Sequence, residues 1–407
     1  MKSQTVLQIL PKEKFKKEIA FLRRLFLPRP FSSAAYSFLP TKNDWRLIRK
    51  YVPSICLFIT NQCNTMCKVC FTNSSPYDFS KDLSFDEIKK ILKKIGRGKR
   101  ITLIGGEPTV REDLFKIIEL IRKTGNQPEL YTNGLKLSDL DYVIKLKKCG
   151  ISRVYFTFDG LDENVYEKLN GNGREVLMMK LLALKNLNKV GINTILAARV
   201  LKGLNEDQIK GLIDLCVYSA KKKGFIKGIY FYAAVPYGRF LLKNCEMSCS
   251  ELISLIENIT KGEVRLQYLV ETKKLLLNLF KLSLKVKKPL PILGGGGILG
   301  AYRAGSIKEL IPLKSLKKIN TFFEKGRIVK SLFEMFKISE LRNIALRFLV
   351  KKDVFKAFVG RGMFILGIGT VNTPISDMQV FIDTVGIGKN GPDIVFNLGA
   401  YSSKEIT

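Results

Sequence analysis

Between residues 52 and 235, short apolar runs alternate with segments of helical period, and no other feature of this chain restricts its fold so tightly. The runs at 55–60, 101–104, 129–132, 153–158, 193–200 and 228–232 are strand-like, and helical patterns lie between them. Those at 85–95, 111–123, 138–148 and 206–221 are the clearest, with Ser84 placed to cap the first. Strands this short and apolar are buried on both faces, which requires parallel strands covered by helices. The expected fold is therefore α/β: a partial (β/α)6 TIM-type barrel with a helical and small β C-terminal extension.

Outside that region the pattern changes. Residues 1–50 read as a basic amphipathic arm, with Phe15, Ile19 and Leu22 at helical spacing and Pro28 and Pro30 ending it. Residues 51–240 are the barrel core, and 241–290 a helical extension with patterns at 248–259 and 266–284. Residues 291–407 form a basic helical and closing region: a Gly-rich loop at 289–297 leads into helical material at 313–359, then a Gly-rich, β-branched tail.

Composition narrows the chemistry. The chain has no histidine, which excludes Ser-His-Asp and Cys-His catalysis and HExxH zinc sites. Its net charge of +33 favours an anionic partner or reflects a lysine-rich surface. That charge is concentrated: residues 1–50 hold 12 Lys/Arg against 3 Asp/Glu, and residues 264–357 hold 21 against 6. The amino-terminal stretch lacks an export signal, and no uncharged apolar run reaches the roughly 18 residues of a membrane span. The expected setting is cytoplasmic, peripheral at the inner face of the membrane, where clustered cysteines read as metal ligands rather than disulfides.

Three of the eight cysteines, Cys63, Cys67 and Cys70, form a C-x3-C-x2-C motif directly after the first strand. Barrels place catalytic groups on such loops. Three thiolates can hold three irons of a [4Fe–4S] cube and leave the fourth open. A zinc site is the competing reading, but it wants four ligands. Cys149 and Cys216 read as core thiols; Cys245 and Cys249, also C-x3-C, read as buried thiols or as half of a second site.

The motif resembles that of the radical S-adenosylmethionine (SAM) superfamily, and further residues extend the resemblance at successive strand ends. Gly105-Gly106-Glu107-Pro108 looks like the GGE motif, implying that Gly105, Gly106 and Glu107 hold the methionine amino group. Thr132-Asn133-Gly134 and Phe158-Asp159-Gly160 resemble the ribose and sulfonium contacts, and Val69 is the residue expected to pack on adenine. Arg199 is a candidate for the SAM carboxylate, or else a surface ion pair. The cofactors implied are a [4Fe–4S] cluster and SAM. The activity implied is reductive cleavage of SAM to a 5′-deoxyadenosyl radical that abstracts hydrogen, with ferredoxin or flavodoxin as electron donor.

Within 101–262, phrases such as GGEPTVREDL and VYFTFDGLDENVYEKLNG resemble the archaeal tetraether lipid synthase group and nearby radical SAM methylases. That resemblance implies lipid biosynthesis, with an apolar lipid chain as substrate and an anionic head for the basic helices to meet. The chain departs from the group in having no cysteine after Cys249 or before Cys56, which removes the group's C-terminal auxiliary clusters. Alternatives are modification of a peptide, cofactor or RNA, and a non-catalytic membrane-associated iron–sulfur protein. Nucleic acid is disfavoured as a partner, because no RNA-binding module or aromatic platform accompanies the charge.

Overall fold

The computed structural model describes residues 54–342, apart from 79–81, 235, 237, 286–297 and 305–306, together with strands at 363–370, 384–388 and 391–394. The amino-terminal arm, the Gly-rich loop and the helical pattern from 343 to 359 lie outside the described residues.

The strands in chain order are β1 (Ser54–Thr60), β2 (Val69–Cys70), β3 (Arg100–Gly105), β4 (Gln127–Thr132), β5 (Arg153–Thr157), β6 (Thr194–Val200) and β7 (Ile226–Ala233). After them come β8 (Arg239–Phe240), β9 (Ile298–Ala304), β10 (Ile307–Glu309), β11 (Met363–Thr370), β12 (Thr384–Gly388) and β13 (Gly391–Ile394). β1, β3, β4, β5, β6 and β7 are parallel neighbours in sequence order, which is the expected partial barrel.

Both edges of this barrel sheet are extended. β11 joins β7 in parallel, and β12 joins β1 in parallel. β9 and β10 then continue antiparallel from β11, and β13 from β12. The closing region is thus built into the same sheet, where the sequence pattern suggests only a small β element after 360.

Local chemistry explains the helices. Ser84 caps the helix Phe85–Ile95 in a reciprocal capping box with Glu87, and Ile88, Leu92 and Ile95 bury one face against the sheet. The same box, Ser248 with Glu251, starts the helix Cys249–Ile259. Alternation along β1 sends Ile55, Leu57 and Ile59 into the helix-covered core, and Cys56 and Phe58 to the other face with Ile104 and Tyr131. Cys149 and Cys216 are buried core thiols, as expected.

Toward the amino ends of the strands, Glu129 and Arg153 form a buried ion pair at 3.1 Å, and Thr102 donates to Glu129 at 3.0 Å. No helix among the described residues is long and apolar enough to cross a membrane.

Candidate functional site: a three-cysteine cavity at the carboxyl ends of the strands

The loop after β1 is held from both sides. Cys63 N–H donates to Ser75 O at 3.0 Å, and Lys68 N–H donates to Leu169 O at 2.8 Å. β2 pairs with β8, setting Val69 against Phe240 and Cys70 against Arg239. The Arg239 side chain donates to Cys67 O at 2.7 Å and Ser74 O at 2.8 Å, fastening the loop on both sides of Cys70.

Cys63, Cys67 and Cys70 line one cavity with Val69, Gly105, Gly106, Asn133, Asp159 and Arg199. Every site residue expected from the sequence except Glu107 borders this space. Cys56 also reaches it, from the floor, beside Ile104, Tyr131 and Tyr232.

Glu107 has a different place. Its carboxylate is fully buried and accepts from Thr109 N and Oγ1, Thr132 Oγ1 and Asn133 N. Burial pushes its carboxyl upward in pKa against those four bonds. In this arrangement Glu107 braces the tips of β3 and β4, leaving the Gly105 and Gly106 backbone to face the cavity. A Cβ on Gly106 would stand 2.4 Å from Gln62 O, so only glycine lets β3 approach the cysteine loop this closely.

Arg199 is committed on three sides. Nε and Nη2 donate to the two oxygens of Asp159 at 3.2 and 2.6 Å, and Nη1 donates to Val69 O at 2.6 Å. Burial works against its charge, but Asp159 more than offsets that and holds the guanidinium protonated. The ion pair is thus an internal strut beneath Val69, not the surface pair weighed above.

One cation of the cavity belongs to no motif in the sequence. Lys180, mid-helix in Gly173–Val190, is buried and lines the same cavity. Its ammonium donates to Asn133 O at 2.7 Å and Thr157 O at 2.6 Å, joining the ends of β4 and β5. Burial lowers its pKa to about 8, partly opposed by Asp159.

Comparison with known proteins bears on this geometry. Residues 57–216, spanning the cysteine loop and most of the barrel, match the family model of the radical SAM superfamily. This chain carries a radical SAM domain. Among relatives, a 7,8-dihydro-6-hydroxymethylpterin dimethyltransferase from Methanocaldococcus jannaschii is 34% identical over 215 residues, covering 51% of this chain and 42% of that protein. A probable GTP 3′,8-cyclase from Thermoplasma volcanium is 36% identical over 172 residues, 40% of this chain and 50% of that one. The chain spans about half the length of the curated relatives it matches. Among solved structures, Streptococcus suis SuiB bound to S-adenosylmethionine has a TM-score of 0.44 at 20% identity, over 61% of this chain and 58% of that chain.

Radical SAM domains work with a [4Fe–4S] cluster and SAM, and the donor set here fits such a cluster better than a single ion. Among the described residues no three Cys, Asp or Glu side chains converge closely enough to hold one metal ion. Three thiols around one cavity suit a cube, in which each meets a different iron. Burial, with the Glu107 charge, raises the Cys63 thiol to about 11 against the Thr65 hydrogen bond, so the site favours thiolate only when metal is present to bind it. Cys245 and Cys249 belong to no such grouping.

Proposed function

We propose that this chain is a radical SAM enzyme, with Cys63, Cys67 and Cys70 as the cluster ligands. The observation that carries the reading is that the three thiols share one cavity with a glycine-backed wall, a buried lysine and a part-buried arginine. When bound, the cluster and SAM supply a 5′-deoxyadenosyl radical able to abstract hydrogen from a substrate carbon. The protein's part is positioning. The Gly105–Gly106 backbone offers room for the methionine amino end, Lys180 supplies charge for its carboxylate, and Val69 supplies an apolar surface for adenine. Asn133 and Asp159, each fixed by several hydrogen bonds, supply the polar contacts for ribose. An external one-electron carrier of the ferredoxin or flavodoxin type completes the cycle.

For the substrate we favour an apolar lipid chain with an anionic head, met at the membrane surface. The support is the helix Ile328–Lys337, where Val329, Phe333 and Phe336 are 81%, 62% and 57% exposed on one face. Exposed Lys330 and Lys337 flank them. Similarity to the M. jannaschii dimethyltransferase favours a second reading, methylation of a small heterocyclic cofactor.

The test is anaerobic. Protein reconstituted with iron and sulfide, given SAM and dithionite, is expected to release 5′-deoxyadenosine. Cys63→Ala, Cys67→Ala and Cys70→Ala are each expected to lose both cluster and product, while Cys216→Ala keeps both. A loaded cluster that yields no 5′-deoxyadenosine at any reductant strength would overturn the enzyme reading. Lipid extracts and pterin products from producing and deleted cells then separate the two substrates.

A further inference from the structure

Each of the three loop cysteine sulfurs has a side-chain partner of its own. Asn170 Nδ2 donates to Cys67 Sγ at 2.9 Å. Thr65 Oγ1 lies 3.3 Å from Cys63 Sγ and 3.5 Å from Cys67 Sγ, and Cys63 Sγ is also met by the Thr65 backbone N–H and, at 4.0 Å, by Asn133 Nδ2. Thr72 Oγ1 lies 3.3 Å from Cys70 Sγ. A hydroxyl has one proton to give, and Asn170 already serves Cys67, so the Thr65 proton belongs to the nearer Cys63. The Thr72 proton has a competitor in Ser74 Oγ at 2.6 Å, because Ser74 gives its own to Asn61 at 3.1 Å.

These partners are held in place. Asn170 ends the helix Glu163–Asn170, whose Leu169 carbonyl is bonded to Lys68 of the cysteine loop, so the amide and the sulfur it serves are tied by backbone. Thr65 and Thr72 lie within the loop itself.

A sulfur bound to iron carries no proton and can only accept, which fixes the direction of all three contacts. Adding an electron to a cluster places more negative charge on its sulfurs, so each donated bond strengthens on reduction and raises the potential. We propose that Asn170, Thr65 and Thr72 tune the reduction potential of the cluster through Cys67, Cys63 and Cys70 respectively, with Asn170 the strongest and Thr72 the weakest. The proposal rests on the cluster reading above. The step is a one-electron reduction by an external donor, with no bond broken and no proton transferred.

The experiment is an EPR-monitored redox titration of the reconstituted full chain without SAM. The variants are Asn170→Leu, Thr65→Val and Thr72→Val, with Thr65→Ser restoring the hydroxyl, and iron and sulfide are measured in each. Asn170→Leu is expected to load normally and to lower the ratio of reduced to oxidised cluster at fixed potential by about fivefold, the weight of one net hydrogen bond. Thr65→Val should show a smaller fall, Thr72→Val the smallest, and Thr65→Ser the wild-type value. Unchanged potentials in loaded Asn170→Leu and Thr65→Val overturn the proposal. So does failure of both to load while wild type loads, which would make the residues assembly determinants. If Asn170→Leu does not fold, the Thr65 pair decides alone. Wild-type protein that binds no cluster strikes instead at the cluster reading.

Discussion

Lys180 is the residue whose role depends most on where the fold puts it. Within the run VLMMKLLALK nothing local marks it, and only packing against β4 and β5 turns its ammonium into the cavity. Burial lowers its pKa from 10.5 to about 8. Between those values the folded chain binds fewer protons than the unfolded one, so stability rises with pH there, and the full cost of the buried charge is present below about 8. For ligand binding the sign reverses, because an anion needs the charged form. SAM affinity, measured by equilibrium dialysis on the loaded enzyme, is expected to fall as pH rises through about 8. Lys180→Arg should remove that inflection, since a guanidinium stays charged throughout. An identical pH profile in the two proteins would exclude Lys180 as the charge the ligand meets. The Glu129–Arg153 pair makes a separate residue-scale prediction. Arg153→Met strands a buried carboxylate and should cost about 3–5 kcal/mol in denaturant unfolding. Adding Glu129→Gln should recover more than half of that, since it removes the stranded charge.

At the scale of elements, the carboxyl ends of β3, β4 and β5 form one braced unit: Glu107 joins the first two, and Lys180 the last two. Gly134 sits at its tightest point, with φ of +81° and room for a Cβ only 1.7 Å from the Phe156 ring. Gly134→Ala combines a left-handed backbone with an overpacked ring and should cost about 2–4 kcal/mol, read as a shift of urea midpoint at constant slope. A change below 0.5 kcal/mol would mean that the strand tips yield more readily than this bracing allows. Much of this unit was legible beforehand, because strand period, cap residues and strand-end motifs are local in sequence. Ser84, the six barrel strands and the cavity position of nine of the ten candidate residues follow from such patterns. What was hidden is non-local. Asn170 lies 103 residues from the sulfur it serves, and Arg239 lies 172 residues from the carbonyl it fastens. β9 escapes the sequence pattern for the same reason: it pairs with β11, some 60 residues later, and a strand that joins a sheet from afar carries no local sign of its partner.

At the scale of the whole molecule, charge and apolar exposure meet on one helix. Ile328–Lys337 packs on the helix Leu313–Glu324, which buries Leu316 and Ile319 in the core. Its outer face keeps Val329, Phe333 and Phe336 in solvent, with the Lys337 ammonium 4.6 Å from the Phe333 ring centre. In sequence, the segment 264–357 that contains this helix holds 21 basic against 6 acidic residues. Such a surface gains from an anionic bilayer in two ways, burial of the three apolar side chains and about 1 kcal/mol per nearby basic residue. The two contributions separate by salt, because charge attraction is screened within about 10 Å at 0.1 M ionic strength whereas apolar insertion is not. The full chain is therefore expected to co-sediment with vesicles containing phosphatidylglycerol or phosphatidylserine and not with neutral ones, and to release progressively as salt rises. Replacing Val329, Phe333 and Phe336 together by Ser should weaken that binding at least tenfold while leaving 5′-deoxyadenosine formation unchanged, because the helix lies outside the cavity. Equal binding to neutral and anionic vesicles, or no effect of the triple substitution, would remove this face from the argument for a lipid substrate and shift the weight to a small heterocyclic one.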